Sequence, residues 1–206
     1  MPSDALPLFA GGRHRLDDGT PHREATYRTL IGLLAVTGMR VGEAIGLDRD
    51  DFDAVGGGLT IRRGKSGKSR ELALHPSTVA ALGNYLRRRD QPRRPPNTPA
   101  LFVSPAGTRL LYVNVQNTFQ KLVCRVGIAP RSAGCRPRLH DLRHAFAVRT
   151  LLDAYRDGGD PGRRLAPLST YLGHVDPGKT YWYLSAAPEL LQLAGDRLER
   201  RIGGGA

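Results

Sequence analysis

The chain has 206 residues, 31 of them Lys or Arg and 19 Asp or Glu, for a formal charge of +12 at pH 7 with 40% hydrophobic content. That length allows one well-buried core or two small ones, and we expect one domain; the charge points to polyanionic partners, nucleic acid before a membrane surface. No apolar run approaches the roughly 20 residues of a membrane-spanning helix, no targeting pattern opens the chain, and Cys124 and Cys135 make no CxxC, which argues against a disulfide framework or structural zinc site.

In chain order, residues 1–20 mix Pro, Gly and charge without periodicity and read as a flexible N-terminal arm. Thr20 and Pro21 supply a helix start, and Tyr27, Leu30, Ile31 and Leu34 recur at helical spacing. That helix ends at Thr37-Gly38-Met39, and a short second helix begins at Arg40 in Arg40-Val41-Gly42-Glu43-Ala44. Asp48, Asp50, Asp51 and Asp53 lack calcium-loop spacing, since Phe52 stands at a ligand position and Leu59 where the bidentate glutamate belongs; a turn with a solvated acidic face is expected. Leu59-Thr60-Ile61-Arg62 and Glu71-Leu72-Ala73-Leu74 flank a Gly/Ser/Lys turn and predict a hairpin.

His75-Pro76-Ser77 opens a helix with Val79, Leu82 and Leu86 on its apolar face and Arg87-Arg88-Arg89 at its end. Leu101-Phe102-Val103 predicts a third strand, and Val115, Phe119, Leu122 and Val126 a further amphipathic helix. From Arg131 to Arg149 there are five arginines and one aspartate, on a segment whose Leu139, Leu142 and Phe146 show that it folds. Residues 157–162 read as a loop and Leu165 to Leu172 as a short helix interrupted by Pro167; Pro188 starts a last helix, to about 201, with Leu191, Ala194 and Leu198 on one stripe.

The chemistry concentrates between Leu139 and Tyr183. His140-Asp141-Leu142-Arg143-His144, Tyr171-Leu172-Gly173-His174 and Tyr181-Trp182-Tyr183 supply imidazoles, a guanidinium and phenols, the parts that phosphoryl transfer to a hydroxyl uses. His140 and His144 also stand four apart, as in the zinc motif HExxH; against that reading, Arg143 would put a cation beside the metal. Two histidines that only cap and pack a helix are the plain alternative.

Five fragments in order carry a family resemblance. Arg40 in Thr-Gly-Met-Arg-Val-Gly-Glu-Ala, Lys65 in the hairpin, the His140-to-His144 motif, Leu172-Gly173-His174, and Tyr183 nine residues after His174 together resemble the tyrosine recombinase (phage integrase) family, over roughly residues 22–201. The resemblance implies an α+β fold, mostly helical with a small three-stranded antiparallel sheet, and a catalytic domain over 21–206 that ends in the helix at about 188–201. It implies a site-specific recombinase that cleaves and rejoins DNA through a 3′-phosphotyrosine, with no metal, ATP or cofactor. Arg40 and Arg143 would clamp the scissile phosphate, as planar, permanently charged forks. Tyr183 would be the nucleophile, Lys65 (or Lys68) the general acid, His140 the aid to tyrosine deprotonation and His174 a phosphate donor. Glu43 orients Arg40 in this reading, and Trp182 either shields the intermediate or packs in the core.

The expected partners are double-stranded DNA and further copies of the chain assembled on it, a tetramer with the C-terminal helix in trans, and no membrane; the expected location is the cytoplasm. Family members usually carry a separate N-terminal domain that clamps the other face of DNA, and about 20 residues precede the catalytic region here. A separate core-binding domain or accessory recombinase is therefore a further expected partner. The alternative is a truncated, catalytically silent DNA-binding remnant or regulator.

Overall fold

A computed structural model describes residues 21–62, 69–91, 95–130, 136–157, 161–173 and 192. Helix α1, Pro21–Thr37, opens on proline, whose fixed φ suits a first turn, and buries Leu30, Ile31, Leu33 and Leu34. It stops at Gly38, where φ is 60° and the amide donates to the Leu34 carbonyl at 3.0 Å. That left-handed cap is open to glycine at no steric cost and turns the chain at once into Arg40, the N-cap of α2, Val41–Gly46.

A short 3-10 turn, Arg49–Asp51, leads into a three-stranded antiparallel sheet: β1 Phe52–Asp53, β2 Gly58–Ile61 and β3 Arg70–Ala73, in that order. Leu59 pairs with Leu72 and Ile61 with Arg70; the alternation of buried Leu59 and Ile61 puts one face of β2 inward. Among the described residues four helices follow: α3 Pro76–Arg89, α4 Tyr112–Arg125, α5 Leu139–Arg156 and α6 Pro161–Leu172. The expected mostly helical fold with a small three-stranded antiparallel sheet is what the structure has.

Contacts divide the chain into two compact units at the Arg143–His144 bond inside α5. In the first, α1 packs on α3, and Tyr85 of α3 meets Phe102 with ring centroids 5.3 Å apart. In the second, Ala147 and Leu151 of α5 form a buried cluster with Leu165, Leu168 and Leu172 of α6, and Phe146 stacks on Tyr171 at 5.6 Å. Among the described residues no helix is long and apolar enough to cross a membrane.

Several local expectations need correction. The third strand is Phe52–Asp53, not Leu101–Val103, whose neighbourhood makes only the isolated bridges Asp48 with Ala100 and Val103 with Arg109 while its side chains are fully buried. The acidic turn is not all solvated: Asp51 is buried, accepting from the Asp48 amide at 2.8 Å and from Arg62. The inward face of α4 is Val115, Thr118, Phe119 and Val123, with Leu122 half-buried and Val126 exposed. Pro161 and Gly162 belong to α6 rather than to a loop, and α6 runs on through Pro167. Of the three arginines at the end of α3, Arg89 is buried and donates to the carbonyls of Ala100 and Thr98. The N-terminal arm, the hairpin tip and the helix expected at 188–201 lie outside the described residues, Gln192 excepted.

Tyr85 combines apolar burial with a polar tip. Its hydroxyl accepts from the Val103 amide at 3.2 Å and from Thr26 Oγ1 at 3.4 Å, and burial pushes its phenol pKa up. Tyr85→Phe keeps the ring and leaves a buried amide without that acceptor, so we expect a loss of about 1–3 kcal/mol in urea unfolding with the slope unchanged.

Candidate active site

The site forms where the α1–α2 turn, the sheet and the start of α5 meet. Arg143 sits one turn into α5 and is 1% exposed, the largest fully buried side chain among the described residues. Its Nη1 donates at 2.8 Å to the carbonyl of Gly38. A cation at that place is favoured twice, because the residue after α1 ends a helix whose last carbonyls carry partial negative charge and because a buried guanidinium needs acceptors. Gly38 is two residues before Arg40, so one hydrogen bond brings the two expected clamp arginines to the same place.

Arg40 is held from the other side by Glu43, whose carboxylate is 7% exposed. Its Nη1 donates to Glu43 Oε1 at 2.9 Å and its backbone amide to Oε2 at 3.0 Å. Arg70 of β3 completes the arrangement with Nη1 to Oε1 at 3.2 Å and Nη2 to Oε2 at 2.8 Å. Each carboxylate oxygen thus accepts two hydrogen bonds. Burial works to raise the Glu43 pKa, but the hydrogen bonds and charge of Arg70, together with the backbone and side-chain donors of Arg40, hold it below the ordinary 4.5. Glu43 is therefore an ionised orienting group, in line with its expected role.

Arg40, Arg143 and His140 line one open cleft of about 630 Å³, walled also by Met39, Leu47, Ile61 and Leu139. Three carboxylates line it as well, and each is already engaged: Glu43 by Arg40 and Arg70, Asp51 by Arg62, and Asp48 by Arg109. The acids of the cleft are thus matched by cations of the protein itself.

His140 stands in the first turn of α5, where Asp141 caps the helix by accepting the Arg138 amide at 2.8 Å. Desolvation in the cleft lowers the His140 pKa first, and the cations Arg143, Arg138 and Arg40 lower it further, with Asp141 opposing. The imidazole is therefore neutral at pH 7, the form that can accept a proton. Among the described residues no group of three or more His, Cys, Asp and Glu side chains could hold a metal, so the HxxxH spacing finds no third ligand there.

Of the six expected site residues, the structure brings together Arg40, His140 and Arg143; Lys65, His174 and Tyr183 lie outside the described residues. Sequence reasoning missed Arg70 and Arg62. A signal existed for Arg70: it is two residues from Leu72 on one strand, so it shares the face of a buried leucine, where a charge calls for a partner.

Comparison with known proteins agrees with this geometry. A model of the phage integrase family matches residues 16–189. The chain belongs to the phage integrase family. The Sinorhizobium fredii protein y4rB, whose name sets it among integrases and recombinases, is 46% identical over 180 residues, which cover 87% of this chain and 57% of y4rB. The tyrosine recombinase XerD of Mycobacterium tuberculosis is 37% identical over 158 residues, 76% of this chain and 46% of XerD. Among solved structures, the XerH site-specific recombinase in a post-cleavage complex with a palindromic difH substrate superposes with a TM-score of 0.66 at 25% identity, over 87% of this chain and 48% of XerH. The chain spans about half the length of these family members.

The electrostatics predict a titration. In a histidine NMR experiment His140 should titrate below 6.5; Arg138→Gln, removing a cation, should move its pKa up and Asp141→Asn should move it down. Because the folded value is the lowered one, the unfolded chain binds the proton first, and the His140 contribution weakens stability as pH falls through the ordinary imidazole value.

Proposed function

We propose that this chain is the catalytic part of a site-specific DNA recombinase that breaks and rejoins strands through Tyr183. The observation that carries the reading is the Arg143–Gly38 hydrogen bond, which sets two arginines and a neutral imidazole on one cleft. Two guanidinium forks suit the equatorial oxygens of a phosphodiester approaching its transition state, where each donor is worth more than in the ground state.

In this mechanism Tyr183 Oη forms a bond to the scissile phosphorus while the P–O5′ bond breaks. The phenolic proton passes toward His140, needed because a free phenol has a pKa of about 10. Lys65 gives a proton to the departing 5′-oxygen, and His174 donates to a phosphate oxygen. The products are a 3′-phosphotyrosine and a free 5′-hydroxyl. Attack by a 5′-hydroxyl, the same steps in reverse, rejoins DNA; since one phosphodiester replaces another of similar energy, no ATP is needed, and the permanently charged Arg40 and Arg143 supply the positive charge that a metal would otherwise bring.

The partner is double-stranded DNA, supported by the charge of +12 and by the family. Copies assemble on it, as a tetramer with residues 188–201 donated in trans, and a core-binding domain, whether separate or an accessory recombinase, adds a clamp. Sedimentation with and without DNA tests the assembly: a single copy without DNA and four on a bound site are expected.

The test of the chemistry is covalent trapping. Nicked DNA fragments from around the encoding locus are incubated in EDTA with wild type, Tyr183→Phe and Arg40→Ala. A denaturation-resistant adduct is expected with wild type, none with Tyr183→Phe, and a rate about 10²–10³-fold lower with Arg40→Ala, the usual loss for one oxyanion donor. An adduct that survives Tyr183→Phe overturns the assignment, and DNA bound with no adduct favours the silent remnant.

A further inference from the structure

We infer that Arg70 is a positioning residue for the phosphate clamp: acting through Glu43, it ties strand β3 to the N-cap of α2 and fixes the direction of the Arg40 guanidinium. The inference rests on the proposed strand-transfer reading for its effect on rate, and on the geometry alone for its effect on Arg40.

Three observations carry it. The Arg70–Glu43 contact is fork on fork, Nη1 to Oε1 and Nη2 to Oε2, and an arginine so placed fixes the plane of the carboxylate as well as its position. Both partners are withdrawn from water, with side chains 16% and 7% exposed, so the pair is little screened. The same two oxygens hold the Arg40 side chain and the Arg40 amide, so whatever sets the plane of Glu43 sets Arg40 too.

Charge sharing adds a second effect. One carboxylate faces two guanidinium groups, so Arg70 takes part of the field that would otherwise fall on Arg40. With Arg70 present, Arg40 keeps more positive potential and more donor capacity for a phosphate in the cleft. Without it, Glu43 is held by Arg40 alone, and that pair closes on itself. Lysine cannot replace this function fully, because a single ammonium neutralises the carboxylate without fixing its plane.

The test compares Arg70→Met, Arg70→Lys, Glu43→Gln and the double variant Arg70→Met/Glu43→Gln with wild type. The first readout needs no DNA: the Nε–Hε NMR signal of Arg40, with folding checked by circular dichroism and thermal melting. Arg70→Met should broaden and shift that signal in a folded protein, and Arg70→Lys should do so less. The second readout is the rate of adduct formation on the DNA trapped by wild type. Arg70→Met should be about 10–100-fold slower, the usual cost of an ångström-scale misplacement, with DNA affinity held within about threefold. In the Glu43→Gln background, Arg70→Met should add less than about threefold, because both changes break one chain of contacts.

An Arg40 signal that is unchanged in Arg70→Met overturns the inference, as do rate effects of Arg70→Met and Glu43→Gln that multiply. Should Arg70→Met not fold, Arg70→Lys carries the same comparison. If wild type forms no adduct on any DNA, the strand-transfer reading fails while the Arg40 signal still decides the role of Arg70.

Discussion

A guanidinium withdrawn almost wholly from water is the constraint on which this structure turns. Removing a charge of that size from solvent costs several kcal/mol even after relaxation. Arg143 therefore has to be met by acceptors, and one of them is the carbonyl that closes α1. This requirement explains features that otherwise look unrelated: the left-handed cap at Gly38, the abrupt passage into α2, and the entry of α5 at the same point. Each exists in the arrangement that leaves Arg143 solvated by protein. The cleft is then a by-product of neutralising one buried cation, with Arg40 and His140 carried into it by chain connectivity.

The second organising interaction is of opposite sign. Glu43 is an anion that accepts four hydrogen bonds from two arginines, and it stands between the helix cap and the sheet. Arg143 and Glu43 together divide the labour in the wall: one is anchored by backbone, the other by side chains. The acids of the cleft act as internal counterions, each engaged by an arginine of the protein: Glu43 by Arg40 and Arg70, Asp51 by Arg62 and Asp48 by Arg109.

Much of this was legible in the sequence wherever a period or a motif repeated. The spacing of Leu30, Ile31 and Leu34, the Pro76 start and the hairpin of residues 59–74 emerged as read, and three residues singled out by motif, Arg40, His140 and Arg143, line one cleft. The failures have one cause, which is that linear pattern does not reveal tertiary partners. Leu101-Phe102-Val103 has strand composition but no neighbouring ladder, so it is buried as an irregular segment. Asp51 looked like a solvated charge because its partner, Arg62, is displaced along the chain by a distance that no periodicity marks. Thr118 and Val123 replaced Leu122 and Val126 because the inward face of α4 is chosen by what it packs on, not by which residues are most apolar.

Two contacts of arginine with main-chain carbonyls, Arg143 to Gly38 and Arg89 to Ala100, are written into the chain differently from the Glu43–Arg70 pair. A carbonyl comes with every residue, so for those two contacts the side chain at the acceptor position carries no record of the bond. The Glu43–Arg70 pair, side chain to side chain, does carry one, and in related genes its two positions are free to change in concert.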